Sequence, residues 1–457
     1  MISRDLATFA QVSGGVLHGA NATFARVISD SRALEPRALF VALAGERFDG
    51  HDFVADAAKL GAAGAIVSRP VDCALPQVVV PDTLAGLAAF ANAWRRSFPG
   101  VVIGITGSNG KTTVKEMAGA ILAGLGPCLV TQGNLNNHIG VPLTLCRIEP
   151  GHRYAVIEMG ANHQGEIAHL ASVAQPDVGL VINAGPAHLE GFGGIDGVAK
   201  GKGEMFAALG AGQAAVINAD DRFAAYWHGL ARGAGRLVTF GIRERADFTA
   251  VNVRELPAGD GLRVEFELVC PLGRRRVPLA LAGEHNVMNA LAAAAAAHAA
   301  GAGLDAIVEG LSGMRAVAGR LEFKALAGGG RLIDDSYNAN PASVRAGLRA
   351  LAALPGERWL VLGEMRELGT ESPRLHAETG EYARQSGVTR LFAVGDEARH
   401  SVEAFGAGGT WFAGVEDLIA ALAADLGPGV TVLVKGSRSN RLERVAAALG
   451  AGGGEGH

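Results

Sequence analysis

Aromatic residues make up only 5% of this 457-residue chain, so its cores must be built from small aliphatic side chains, with Ala, Val and Leu foremost. Cysteine is scarcer: Cys73, Cys128, Cys146 and Cys270 are scattered without metal-type spacing. That excludes a disulfide scaffold and a zinc ribbon and predicts reduced core thiols. No excess of positive charge is present. The formal net charge of −4 argues against a general nucleic-acid binder, which carries a basic field. Long apolar runs are also missing. Met1-Ile2-Ser3-Arg4-Asp5 opens no signal core. The Ala-rich stretch around Leu291 to Ala300, interrupted by Asn289 and His298, is too short and weakly apolar to cross a bilayer. A soluble cytoplasmic protein without membrane insertion is expected. There is no long internal repeat, and only the tail, Gly450 to His457, reads as disordered.

The length implies about two to four domains, and the pattern divides the chain into three α/β blocks. Residues 1–99 mix short strands (Leu39 to Leu43, Ala65 to Val67, Gln77 to Val80) with helices over Phe53 to Leu60 and Thr83 to Ser97, before Pro99-Gly100 breaks the chain. Residues 100–317 carry continuous apolar runs ending in polar or small residues, at Tyr154 to Glu158, Val178 to Asn183 and Ala214 to Asn218. Such runs, alternating with helical patterns, predict a parallel sheet covered on both faces. Residues 318–457 repeat the theme at Arg331 to Asp335, Trp359 to Gly363, Leu391 to Gly395 and Val430 to Gly436, without a phosphate loop of their own. This third block is expected to close over a nucleotide held by the second.

That nucleotide site is the clearest signal. Val101-Val102-Ile103 reads as a buried strand, and Val114 to Ala118 as a helix. Between them, Gly104-Ile105-Thr106-Gly107-Ser108-Asn109-Gly110-Lys111-Thr112-Thr113 is a variant phosphate loop with Ile105 where the strict pattern has Gly. A Gly-rich turn at a helix N-terminus converges several N–H groups and the positive dipole end on one polyphosphate. Lys111 adds charge toward the β/γ-phosphates, and Thr112 or Thr113 offers Mg²⁺ a hydroxyl.

Parallel sheets bind ligands beyond the carboxyl ends of their strands, and several polar groups fall there. Glu158 ends a strand and can reach a metal at the phosphates. His188 lies just past the next strand. Lys200 and Lys202 fall early in a helix capped by Asp196; two residues apart on a helix is about 200°, so only one can face the site. Asn134, Asn136, Asn137 and His138 form a polar cluster fit for sugar hydroxyls and amides, or an Asx-rich loop satisfying its own backbone. Asn286 and Asn289 share a helix face that suits an adenine edge, or simply cap the helix. Asp334 to Pro341 reads as a binding loop or a capped turn before a helix.

The order of Gly104 to Thr113, Glu158-Met159-Gly160, Asn183 to His188, Gly283 to Ala290 and Gly319-Arg320-Leu321 resembles the Mur ligases, ATP-dependent amino-acid ligases of peptidoglycan synthesis. The resemblance covers essentially the whole chain and implies three domains. These are a small α/β UDP-substrate domain, a central phosphate-loop parallel-sheet ATPase domain and a C-terminal Rossmann-like α/β domain. Phe40 to Phe53, Asp335 to Pro341 and Leu362 to Gly369 narrow it to the branch adding D-alanyl-D-alanine to UDP-N-acetylmuramoyl-tripeptide. The Asp-Asn-Pro-Arg motif of the diaminopimelate- or lysine-adding branch is absent.

What the resemblance implies for single residues is as follows. Gly107, Ser108, Asn109, Gly110, Lys111, Thr112 and Thr113 hold the ATP phosphates. Thr112 or Thr113 with Glu158 holds one Mg²⁺, and His188 helps hold a second. One lysine is carbamylated into a carboxylate-like metal ligand, with Lys200 preferred over Lys202. Asn286 and Asn289 face the adenine, while Arg320 approaches the phosphates and Asp335 lies on the nucleotide side. Ser31, Arg32, Arg47 and Asp49 lie near the uridine diphosphate. Asn134, Asn136, Asn137, Tyr337, Asn338, Asn340 and Lys435 line the remaining substrate side. Lys111, Glu158, His188, the carbamylated lysine and Arg320 are the expected catalytic set, in a monomer. Rival readings are a third-residue-adding relative, a folylpolyglutamate-type synthetase, and a phosphate-loop NTPase switch that releases phosphate without forming an amide.

Overall fold

The computed structural model describes residues 1–45, 48–259, 261–326 and 329–450. Arg47 and the tail beyond Gly450 therefore lie outside the described residues. Among the described residues, four sheets organise the fold. The first has five strands in the order Val16–His18, Gln77–Val79, Gly64–Val67, Ala38–Val41, Arg26–Ile28, with only the first pair antiparallel. Its helix Thr83–Arg96 starts where Asp82 accepts the N–H groups of Leu84 and Ala85. This helix ties the unit to the next one. Buried Arg95 donates to the carbonyls of Ala174 and Gln175 and to Asp177 Oδ2 at 2.7 Å, and that carboxylate also accepts the N–H of Val102.

The central sheet has six parallel strands in the order Arg236–Phe240, Ala214–Asn218, Val178–Val181, Val101–Thr106, Tyr154–Glu158, Cys128–Val130. The chain leaves Val101–Thr106 toward one edge and later returns to its other side, so the strand order reverses there and a crevice opens at the carboxyl ends. The phosphate loop fills that crevice, with Glu158 on one side and Asn183 on the other.

Two features depart from the expectation. Thr249–Ala258, Gly261–Cys270 and Gly273–Leu279 form a separate three-stranded antiparallel sheet. Its middle strand buries Val264, Phe266 and Leu268 alternately, the period-2 pattern of a half-covered sheet. The helix Ile195–Ala207 begins after Gly194, not at Asp196, which lies in its first turn.

The Ala-rich helix Glu284–Ala299 packs on the phosphate-loop helix Lys111–Ala123. Ala292 through Ala297 are all fully buried. A helix apolar all round is a core helix, and alanines let it approach its neighbours closely. Among the described residues no helix is long and apolar enough to cross a membrane.

The last sheet has the order Glu322–Ala325, Arg331–Asp334, Val430–Lys435, Glu357–Gly363, Arg390–Val394, Gly409–Phe412, parallel except for its first pair. Its carboxyl ends place Asp335 and Lys435 on the same cavity as the phosphate loop.

Candidate active site

A cavity of about 1490 Å³ opens between the central and third units, lined by the phosphate loop, Glu158, His188, Asn289, Arg320 and Lys435 among others. Single-ligand pockets run to about 1,000 Å³, so this space has room for more than one substrate.

The loop's backbone explains its glycines. Gly107 has φ +155° and Gly110 φ +84°, and a Cβ on Gly110 would sit 2.4 Å from Asn289 Oδ1. Only glycine fits there. Asn183 braces the loop from the next strand: its Oδ1 accepts the N–H of Asn109 at 3.0 Å, and its carbonyl accepts that of Ser108 at 3.1 Å. Lys111 Nζ donates to the Gly107 carbonyl at 2.7 Å. Burial draws its ammonium below the ordinary lysine range, with Glu158 opposing and Arg320 adding to the shift.

The two threonines are now distinguished. Thr112 Oγ1 donates to Glu158 Oε2 at 3.1 Å and accepts Arg320 Nη2 at 2.9 Å. Thr113 lines the cavity and reaches neither group among the described residues. Glu158 Oε1 accepts Asn136 Nδ2 at 2.8 Å, so one carboxylate gathers residues from the loop helix and the asparagine cluster. Asn137 turns inward on its own backbone instead, accepting the N–H groups of Ile139 and Gly140. Asn134 lies exposed at the cavity rim.

The lysine assignment is corrected by the packing. Lys200 is exposed, whereas Lys202 is 1% exposed. Lys202 Nζ donates to the Ala161 carbonyl at 3.1 Å and lies 5.1 Å from the Phe192 ring centroid. Burial, helped by the charge of Lys111, pulls its pKa down to about 7. Lys200 therefore cannot be the inward lysine, and Lys202 is.

The third unit reaches across at three points. Arg320 meets Thr112 and stacks 4.2 Å over Tyr337, Asn340 Nδ2 donates to Asn109 Oδ1 at 2.6 Å, and Glu367 pairs with His188. Asn340 also caps the helix Pro341–Ala352 with a capping box, so both the binding-loop and capped-turn readings hold. Lys435 Nζ donates to Asp335 Oδ2 at 2.6 Å and to the Asn338 carbonyl at 2.9 Å. Burial raises the Asp335 carboxyl while Lys435 holds it back. Asn286 and Asn289 are buried on the cavity wall and bond each other at 3.0 Å, and the Asn286 amide also donates to the Ala282 carbonyl.

Ser31, Arg32 and Asp49 are not brought into this cavity. Arg32 is clamped by Asp30 at 2.7 Å, and Asp49 is engaged by Arg69 and by His51. Sequence reading missed Glu367 as a contact of His188, and His285, which lines the cavity and is pushed down to about 4 by burial beside Arg349 and Lys435. Glu367 lay inside a quoted motif, but nothing local marks its partner 179 residues away.

A phosphate loop flanked by a strand-end acid, and covered by a second parallel sheet that sends an arginine to the loop threonine, defines a nucleotide-using enzyme of the phosphate-loop class. Three family descriptions match the chain. They are "Mur ligase family, catalytic domain" over residues 23–95, "Mur ligase middle domain" over 105–297, and "Mur ligase, glutamate ligase domain" over 319–438. A UDP-N-acetylmuramoyl-tripeptide--D-alanyl-D-alanine ligase of Escherichia coli (strain K12) is 47% identical over 98% of this chain and 99% of its own. That of Mycobacterium tuberculosis (strain H37Rv) is 37% identical, with 98% of each covered. The crystal structure of MurF from Acinetobacter baumannii superposes with a TM-score of 0.89 at 37% identity, covering 97% of this chain and 98% of the other. MurF ligase from Thermotoga maritima in complex with ADP gives 0.80 at 28% identity, with 93% and 97% covered. The chain belongs to the Mur ligase family.

Proposed function

We propose that this chain joins D-alanyl-D-alanine to UDP-N-acetylmuramoyl-tripeptide at the expense of ATP, in the cytoplasmic assembly of the peptidoglycan precursor. The observation that carries the reading is the convergence of Lys111, Thr112, Glu158 and Arg320, contributed by two units, on one phosphate loop. The similarity to D-alanyl-D-alanine ligases over the full length supports the choice of substrates.

A carboxylate is not attacked by an amine directly, because oxide is too poor a leaving group. Transfer of the γ-phosphoryl group to the tripeptide carboxylate gives an acyl phosphate. The dipeptide amine attacks its carbonyl, and the tetrahedral intermediate collapses with loss of phosphate and a proton. Two anions must approach each other in the first step. Lys111 and Arg320 offset that repulsion where water is excluded. Asn109 and Asn340 hold the third unit over the site, protecting an acyl phosphate that hydrolyses readily.

Mg²⁺ fits these residues. Among the described residues no group of three or more His, Cys, Asp or Glu side chains forms a metal cage, and Mg²⁺ at nucleotide sites takes one or two protein oxygens plus phosphates and water. Thr112 and Glu158 would hold one ion, and His188 with a carbamate on Lys202 the second. Bound there, Mg²⁺ neutralises charge developing on the transferring phosphoryl group. A lysine with pKa about 7 keeps a neutral amine at physiological pH, the form that adds CO₂. Ser31, Arg32, Arg47 and Asp49 would serve the uridine end of the sugar nucleotide, on an N-terminal domain bounded near residue 99. A central domain would then run to about 317 and a closing domain beyond it.

The test is phosphate release together with product mass from UDP-N-acetylmuramoyl-tripeptide, offering D-alanyl-D-alanine against single amino acids. Product with the dipeptide alone is the expected result. Phosphate release without any amide product would point to an NTPase switch and sink the reading.

A further inference from the structure

The assignment of His188 to the second metal leaves unexplained what fixes its ring. Resting on that assignment, we propose that Glu367, carried by the third unit, is the positioning carboxylate that orients His188 and completes the second metal site only when the units are closed. His188 stands at φ +56°, just ahead of the short helix Leu189–Phe192, a conformation that few non-glycine residues adopt. Its Nδ1 meets the Glu367 carboxylate. Buried Nδ1 faces that carboxylate closely, though not as an aligned hydrogen bond among the described residues.

Glu367 is presented by a loop fixed on the third unit. Met365 N donates to His376 Nε2 at 2.9 Å, Arg366 N donates to Ser437 Oγ at 2.9 Å, and Leu368 is buried. Glu367 itself stands at φ +64°. Gly369, at φ +60°, seats the same loop on the central unit, where an added Cβ would lie 3.5 Å from the Glu190 side chain. A fixed loop and a strained histidine thus face each other across the closure.

With Nδ1 turned to a carboxylate, the proton stays on Nδ1 and the Nε2 lone pair is the one left for a cation. Carboxylate–imidazole pairs act this way in metal sites, setting the tautomer and raising ligand basicity. Because the carboxylate arrives with the moving unit, metal affinity at His188 becomes coupled to closure. A simple latch between the units makes a different prediction: it holds them together without distinguishing one metal from the other.

The experiment is a Mn²⁺ titration followed by electron paramagnetic resonance, on full-length protein with a non-hydrolysable ATP analogue. Wild type should bind two ions. In Glu367→Gln, which keeps the side chain's length and removes its charge, the weaker ion should bind about 10–100-fold less tightly while the tighter one is unchanged. Glu190→Gln, touching the same loop, should leave both unchanged, and X-ray scattering should report the same closed dimensions for all three proteins. Unaltered Mn²⁺ binding in Glu367→Gln overturns the proposal. Equal weakening of both ions with an expanded particle assigns the latch role and overturns it too. If wild type binds one ion and His188→Ala changes nothing, the assignment of His188 itself fails, and the proposal with it.

Discussion

Replacing Lys202 by methionine should abolish ligation and yet stabilise the protein at low pH. Its amine is moved from the ordinary 10.5 to about 7 by burial, and each pKa unit is worth about 1.4 kcal/mol. The folded value lies below the unfolded one, so the unfolded chain binds more protons between them and wild-type stability rises with pH across that window. The penalty for the buried ammonium, about 5 kcal/mol, is fully present below pH 7 and gone above 10.5. Methionine removes it at similar length. The variant forfeits the hydrogen bond to the Ala161 carbonyl, about 1 kcal/mol, and the cation contact with Phe192, about 1 kcal/mol. The net gain at pH 6 is about 3 kcal/mol, a rise of about 6 °C or more in the transition that melts the central unit. At pH 10 the folded amine is neutral, so the cation contact is gone and the wild-type penalty has shrunk to about 1 kcal/mol; the two stabilities should then converge. Scanning calorimetry in CO₂-free buffer with chelator at both pH values reads this directly. A variant less stable at pH 6, or a difference that ignores pH, would refute the argument from burial.

Other outcomes follow from the same geometry. Lys111→Ala should lower kcat by about 10²-fold or more with an unchanged melting curve; near-normal phosphate release would remove it from the chemistry. Lys200→Ala, on the exposed face, should leave both turnover and stability within about twofold and 0.5 kcal/mol of wild type. A loss as deep as that of Lys202→Met would reinstate it as the inward lysine. Asn340→Ala removes the bond to Asn109 and a helix cap together. It should cost the third unit about 1 kcal/mol and enlarge the scattering radius without nucleotide, whereas unchanged dimensions would mean that this bond does not hold the closure. Arg95→Met removes the bonds to Asp177 and to the Ala174 and Gln175 carbonyls, and because the Asp177 carboxylate keeps its contact with water it should destabilise the joint between the first and central units by about 2 kcal/mol, measured by urea unfolding.

The phosphate loop was legible in sequence because everything that makes it is contiguous: a strand, two glycines with positive φ, a lysine and a helix start. Glu158 and His188 were legible because a parallel sheet delivers the residues just past its strands to one edge. The Lys200 and Lys202 question was not. The two positions point nearly opposite ways on one helix, and nothing along the chain says which face turns inward until Phe192 and the Ala161 carbonyl close over one of them. The antiparallel sheet of Thr249–Leu279, by contrast, was legible and overlooked, since Leu262-Arg263-Val264-Glu265-Phe266-Glu267-Leu268 alternates apolar and charged residues with the period of a half-covered strand.

The sequence alone therefore determined the nucleotide site, the three-block α/β order and the family, all of which rest on local patterns and their sequence order. Tertiary structure decided which lysine is buried, that Thr112 and not Thr113 meets Glu158, and that Arg320, Asn340 and Glu367 cross from the third unit onto the second. Those choices depend on contacts between residues as much as 231 positions apart. Only packing brings such side chains within bonding distance, and only burial changes the chemistry of an amine such as that of Lys202.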